Sequence, residues 1–230
     1  METDVLGGRL AEVRERVERA RARAGRADEV GIVAVTKTHP AEAVRAAVAA
    51  GVADVGENRV QELEEKVAEV GRDAVRWHLI GHLQRNKVRK ALPLFDLLHS
   101  LDSLRLAEAV SREAVEMGVT ARVLVQVNAS GEESKGGFAV SEGTDPLAAV
   151  CALPGLAVEG LMTMAPLTDD ERVIRASFAA TRALWERAGR EVEGFRALHL
   201  SMGMSNDFEI AVEEGATLVR VGSLIFGERG

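Results

Sequence analysis

The feature that most constrains this chain is an alternation. Eight short β-rich runs recur along it: GIVAV (31–35), ADVG (53–56), RWHLIG (76–81), FDLLHS (95–100), ARVLVQVN (121–128), LAVEGLM (156–162), ALHLS (197–201) and TLVRVG (217–222). Helical patterns lie between them, clearest at 41–50, 58–70, 103–117, 169–188 and 207–214, with fainter ones at 84–91 and 142–152. Strands that alternate with helices read as parallel βαβ units. Eight of them in 230 residues, with no composition break or low-complexity linker, predict an α/β protein made of one (β/α)8 TIM barrel over residues 1–230. A doubly wound open sheet is the alternative, but no GxGxxG or GxxxxGK[ST] phosphate loop supports it.

Ahead of the first strand, Leu6, Leu10, Val13, Val17, Ala20 and Ala24 recur at spacings of three and four. They predict an extra N-terminal helix, within residues 1–28, that packs on the barrel through one apolar stripe. Its arginines alternate with Glu12, Glu15 and Glu18, so its other faces read as solvated rather than as a nucleic-acid patch.

A net charge of −7 argues against broad phosphate-backbone binding. No run approaches the roughly 18 apolar residues of a membrane span, and the charged N-terminus lacks a signal-peptide core. The lone Cys151, in AAVCALPGL, reads as a small core residue, and its isolation suits a reducing cytoplasm. The expectation is a cytoplasmic protein with no nucleic-acid or membrane partner.

A barrel gathers its reactive groups at the C-terminal ends of its strands. The first strand runs straight into Lys37, and period-two alternation puts Val33, Val35 and Lys37 on one face. If that face lines the barrel, the amine points into its mouth, where partial burial favours the neutral, nucleophilic form. A lysine that snorkels to solvent from a strand end is an equal reading of this residue alone. Two further strand ends suggest a pocket for a small phosphorylated ligand. In SMGMSND (201–207), Ser201 follows an apolar strand, Gly203 allows close backbone approach, and Ser205 to Asp207 offer N-cap chemistry. In RVGS (220–223), Arg220, Gly222 and Ser223 end the last strand, where barrels often place a phosphate.

Other constellations fade. His78 lies within a strand-like run, which puts His82 about 13 Å away at about 3.3 Å per residue, and no paired cysteines or acidic ligand cluster accompany them, so no metal is expected. QRNKVRK (84–90) reads as a solvated helix face, with Arg85 and Lys87 able to attract an anion. No GxSxG nucleophile elbow supports a hydrolase triad.

Taken together, VAVTKTHP, GENRVQE, WHLIGHLQRNK, VNASGEESKGGF, GLMTMAP and LSMGMSNDFEIAVEEGATLVRVGSLIFG resemble the YggS/PROSC family of pyridoxal phosphate homeostasis proteins, in the same order from about residue 30 to 228. The resemblance implies the fold-type III barrel of pyridoxal 5′-phosphate (PLP) proteins, similar to the alanine racemase N-terminal domain. It further implies that Lys37 holds PLP as a Schiff base, and that Ser201, Gly222 and Ser223 take its phosphate. Arg220 would face the pyridine nitrogen and Asn58 would lie beside the ring. Arginine can only donate there, which weakens the cofactor as an electron sink.

Racemases of this fold type use a tyrosine base from a second, β-rich domain. This chain contains no tyrosine and ends just after the last barrel strand. The reading favoured is therefore a PLP-binding homeostasis protein that buffers or delivers the cofactor, with no catalytic residue of its own, PLP-dependent apo-enzymes as further partners, and a monomeric state. A weak PLP-dependent racemase or decarboxylase, and a Schiff-base phosphosugar aldolase, are the alternatives.

Overall fold

The computed structural model describes residues 3–129 and 136–227. Helix α1 (Thr3–Arg23) comes first and the strands follow: β1 (Gly31–Val35), β2 (Asp54–Glu57), β3 (Arg76–Leu79), β4 (Leu97–Leu101), β5 (Ala121–Asn128), a two-residue β6 (Phe138–Ala139), β7 (Leu156–Met162), β8 (His199–Ser201) and β9 (Leu218–Val221). Helices α2 (Ala41–Ala49), α3 (Val60–Val70), α4 (Val88–Ala91), α5 (Leu104–Met117), α6 (Asp145–Cys151), α7 (Glu171–Glu191), α8 (Phe208–Glu213) and α9 (Ser223–Phe226) lie between or after them.

All pairings are parallel. The order runs β1-β2-β3-β4-β5-β7-β8-β9, and β9 returns to β1, so eight strands close a TIM barrel. Each strand matches one of the eight apolar runs. Strand β6, in the GGF segment, is an addition that pairs with the end of β5 outside the ring. Helix α9 was also not expected.

Alternation along the strands sorts side chains into two compartments. Val33, Leu97, Leu124, Met162 and Leu218 form a small apolar cluster inside the ring, with Met164 against it. Their chain neighbours Ala34, Leu98, Val123, Leu161 and Val219 face outward into the much larger core under the helices. The inner cluster fills only part of the barrel. Positions of the same parity at Asp54, His78, His99, Gln126, Ser201 and Arg220 are buried and polar, and they determine what this barrel can do.

Helix α1 lays Leu6, Leu10, Val13, Val17 and Ala20 into the outer core. At about 1.5–3 kcal/mol for each fully buried large aliphatic side chain, this stripe outweighs the helix's exposed ion pairs, worth about 0–1 kcal/mol each. The expected sixth member, Ala24, is exposed. The helix has ended by then, with the Gly25 and Arg26 N–H groups turning back to the carbonyls of Ala22 and Arg21, the double bond of a Schellman motif. Cys151 is half-buried rather than a core residue, and burial pushes its thiol up to about 11.

Candidate functional site at the C-terminal end of the barrel

Strand β1 stops at Val35, so Lys37 stands in a turn just past the strand rather than on its face. That turn is pinned on both sides of the lysine. Thr36 is fully buried and its N–H donates to the Gly56 carbonyl at 3.1 Å. Its hydroxyl donates to Glu57, and its carbonyl accepts from Lys66 Nζ at 2.7 Å. Lys66 Nζ is also 2.6 Å from Glu57 Oε1. On the other side, the Thr38 N–H donates to Glu62 Oε2 at 2.8 Å. Glu62 and Lys66 are one turn apart on α3, so a single helix face grips the turn at two points.

Thr38 pays for this arrangement with φ +66°, the left-handed region that a β-branched residue adopts only under constraint. Burial raises the Glu57 carboxyl above its ordinary range, although Lys66 and Thr36 pull against it, and its Oε2 has no hydrogen-bond partner among the described residues. Lys37 itself is half-buried, and its amine has no hydrogen bond or ion pair among the described residues.

The barrel interior holds a second polar array. Arg220 is 4% exposed. Its guanidinium donates to Ser201 Oγ at 2.7 Å and to the Thr163 carbonyl at 2.9 Å. Burial lowers it to about 10, with Asp207 opposing, and no carboxylate of the described residues comes within ion-pairing distance. Ser201 Oγ is 3.0 Å from His99 Nδ1, His99 Nε2 is 2.8 Å from His78 Nδ1, and His78 Nε2 is 2.9 Å from Asp54 Oδ1. Burial, His78 and Arg220 hold His99 well below its ordinary range. Burial alone would raise Asp54, but hydrogen bonds from His78 and Arg76 bring it down to about 2.

The remaining candidates sit on neighbouring strand ends. Gly222 packs against Val35, whose carbonyl would be 3.1 Å from any Cβ there, and its N–H reaches toward Ser205 Oγ at 3.4 Å. Ser223 follows, exposed, as the first residue of α9. Asn58 is half-buried just beyond β2, against Gly81, where a Cβ would stand 2.2 Å from the Asn58 carbonyl oxygen. Gly203 has φ +90° and meets Phe208 and Ala211 too closely for any side chain. Asp207 departs from expectation: its Oδ1 accepts the Met204 N–H at 2.6 Å and caps no N–H of α8.

Of the six candidates, Ser201 and Arg220 are therefore in direct contact. Lys37, Asn58, Gly222 and Ser223 follow adjacent strands β1, β2 and β9. Residues 130–135 of the expected VNASGEESKGGF strand end lie outside the described residues. A surface groove of 570 Å³ between His82, Arg85 and Asp102 involves none of the six. His82 bonds Asp102 and His78 bonds Asp54, so the two histidines serve separate partners. No cluster of three or more metal-ligating side chains occurs among the described residues.

The pattern matches a known family model, the alanine racemase N-terminal domain, over residues 9–230. A pyridoxal phosphate homeostasis protein of Aquifex aeolicus is 40% identical over 96% of this chain and 97% of its own length. The chain belongs to this family. The Escherichia coli K12 relative, also named a pyridoxal phosphate homeostasis protein, is 39% identical over 96% of this chain and 95% of its own. PipY of Synechococcus elongatus, solved with PLP bound, superposes with a TM-score of 0.85 at 38% identity, over 96% of this chain and all of that one. Alanine racemase of Corynebacterium glutamicum shares the fold at a TM-score of 0.73 and 19% identity, and this chain spans 62% of its length.

Proposed function

We propose that this protein binds PLP at the C-terminal end of the barrel and acts in PLP homeostasis, buffering or delivering the cofactor without robust catalysis of its own. The observation that carries the reading is Arg220. A buried guanidinium with no carboxylate partner among the described residues is costly unless something electron-rich completes its surroundings. The pyridoxal phosphate homeostasis relatives and the PLP-bound PipY structure supply a group that fits: a ring nitrogen that accepts, an aldehyde that an amine can hold, and a phosphate.

In this reading Lys37 binds PLP covalently through its aldehyde. An amine without a partner among the described residues, on a turn held by protein contacts at Thr36 and Thr38, suits that role. Arg220 faces the pyridine nitrogen and can only donate to it. Gly222 and Ser223 offer backbone and hydroxyl donors to the phosphate, and Asn58 lines the ring. Ser201, assigned to the phosphate by resemblance, is better placed to orient Arg220, since its hydroxyl already bonds Arg220 and His99. PLP supplies an electron sink when bound. A donor at its ring nitrogen keeps that sink weak, which suits storage better than carbanion chemistry.

The test is mass spectrometry of protein loaded with PLP and reduced with borohydride. A PLP adduct on Lys37, and a visible absorption band that Lys37→Ala abolishes, are the expected results. Absence of any band in wild type would sink the binding reading. α-Proton exchange of an amino acid at catalytic rates would replace the carrier with an enzyme.

A further inference from the structure

The polar array inside the barrel has a direction that can be worked out bond by bond. Arg220 carries donors only, so Ser201 Oγ accepts from it at 2.7 Å. The hydroxyl proton of Ser201 is then available to His99 Nδ1, 3.0 Å away. At the far end, Asp54 is ionised and accepts from Arg76 at 2.6 Å and from His78 Nε2 at 2.9 Å, so the proton of His78 that faces Asp54 lies on Nε2.

One contact remains, the 2.8 Å pair between His78 Nδ1 and His99 Nε2. Two arrangements satisfy it. In the first, both rings are neutral: Ser201 O–H donates to His99 Nδ1, His99 Nε2–H donates to His78 Nδ1, and His78 Nε2–H donates to Asp54. In the second, every bond between Ser201 and His78 is reversed, and His78 must carry both ring protons. That arrangement makes the same number of bonds but adds a second buried cation to an interior that already holds Arg220, which a low-dielectric site penalises. Asp54 favours a charged His78, but Arg76 already pairs with both oxygens of that carboxylate, and His199, flanked by Glu159 and Arg122, adds a further basic ring near His99. The balance favours the first arrangement.

We propose that His99, backed by His78 and Asp54, is a positioning residue: it fixes the Ser201 hydroxyl as a one-way acceptor for Arg220 and so holds the guanidinium aimed at the PLP ring nitrogen. This rests on the cofactor reading above. It assigns a role to three residues of the barrel floor and middle that the cofactor reading leaves without one, and it explains why a barrel interior that aliphatic residues normally fill is polar here. A column of alternating donors and acceptors has only one low-charge setting. Arg220 therefore cannot swing to another acceptor without unmaking the whole column.

Long-range ¹⁵N–¹H spectra of histidine-labelled protein at pH 7 test the proton order without any ligand. The expected result is that His78 and His99 are both Nε2–H tautomers with bare Nδ1. A proton on His99 Nδ1 overturns the proposal. A second arm measures PLP affinity and the absorption maximum in His99→Leu and His99→Asn. Leucine fills the space but accepts nothing, and asparagine keeps an acceptor near the Nδ1 position.

Leucine should weaken PLP binding about tenfold, the scale of one lost hydrogen bond to a charged group, and shift the band. Asparagine should stay within about threefold of wild type. Equal behaviour of the two variants, or a wild-type spectrum in His99→Leu, overturns the relay while leaving the cofactor reading intact. A wild-type protein with no PLP band overturns the cofactor reading itself. If His99→Leu does not fold, the tautomers of the unaltered protein decide.

Discussion

Lys66 Nζ lies 2.6 Å from Glu57 Oε1 and 2.7 Å from the Thr36 carbonyl, so a buried ion pair abuts the residue just before Lys37. Both side chains are almost wholly out of solvent, at 6% and 0% exposure. Lys66→Met leaves Glu57 buried and unpaired, and should cost about 3–5 kcal/mol in urea unfolding. Glu57→Gln added to it should recover most of that loss. The sign with pH follows from the Glu57 carboxyl, whose pKa is already raised above 4.5 by burial. Without Lys66 it rises further, so the variant sits closest to wild type near pH 4.5 and falls behind as pH climbs toward 8.

Asp54 gives the opposite dependence. Its folded pKa is lowered from 3.8 to about 2, so its contribution is present above pH 3.8 and lost as pH falls through 2. Wild type should lose about 2 kcal/mol from this group across that window, since one pKa unit is about 1.36 kcal/mol. Asp54→Asn should be less stable at pH 7 and should lose about 2 kcal/mol less than wild type between pH 4 and 2, as read by urea unfolding across that range.

Gly81→Ala tests how the Asn58 strand end is placed. The new methyl would lie 2.2 Å from the Asn58 carbonyl oxygen and 2.8 Å from its Cα, all of it backbone that cannot rotate away. Stability should fall by about 1–3 kcal/mol, in the range of an overpacked core. PLP affinity should fall with it, because Asn58 must move.

Thr38→Gly tests the strained turn. Left-handed backbone costs a non-glycine residue roughly 1–2 kcal/mol, offset in part by the entropy glycine adds to the unfolded chain. The unfolding free energy should stay level or rise, by up to about 1 kcal/mol, while PLP binding weakens because the grip on Lys37 loosens. A gain in both would show that the strain serves no purpose.

All eight barrel strands were legible, because a strand buried on both faces reads as an apolar run whatever it packs against. Lys37, Ser201, Arg220 and Gly222 were legible as strand-end residues. His99 and Asp54 were not, since choosing between the inner and outer face of FDLLHS and ADVG requires the pairing of the neighbouring strands. The signal was there in weak form: His78 and His99 are polar residues at the same parity in adjacent runs. Lys66 carries no signal in the sequence that sets it apart from other helix lysines, and only the packing of α3 over Glu57 buries it. The phosphate role of Ser201 is what the family resemblance implies. The sequence could not reveal that its hydroxyl faces Arg220 and His99.

Helix α1 is made before the barrel and finished after it. Arg26 donates to the carbonyls of Val212 and Ala216, Arg23 pairs with Glu213, and Arg16 lies 4.8 Å over the Phe208 ring. Every one of these partners is about 190 residues downstream. At roughly 5–20 residues per second, the ribosome takes about 10–40 s to cover that stretch. Throughout that time α8 and α9, two of the helices that pack on α1, do not yet exist, which leaves α2 as its early helical partner, and β1 waits equally long for β9. The nascent chain thus carries a partly covered apolar stripe for most of the synthesis of the barrel, and chaperone contact during translation should include Leu6, Leu10, Val13, Val17 and Ala20.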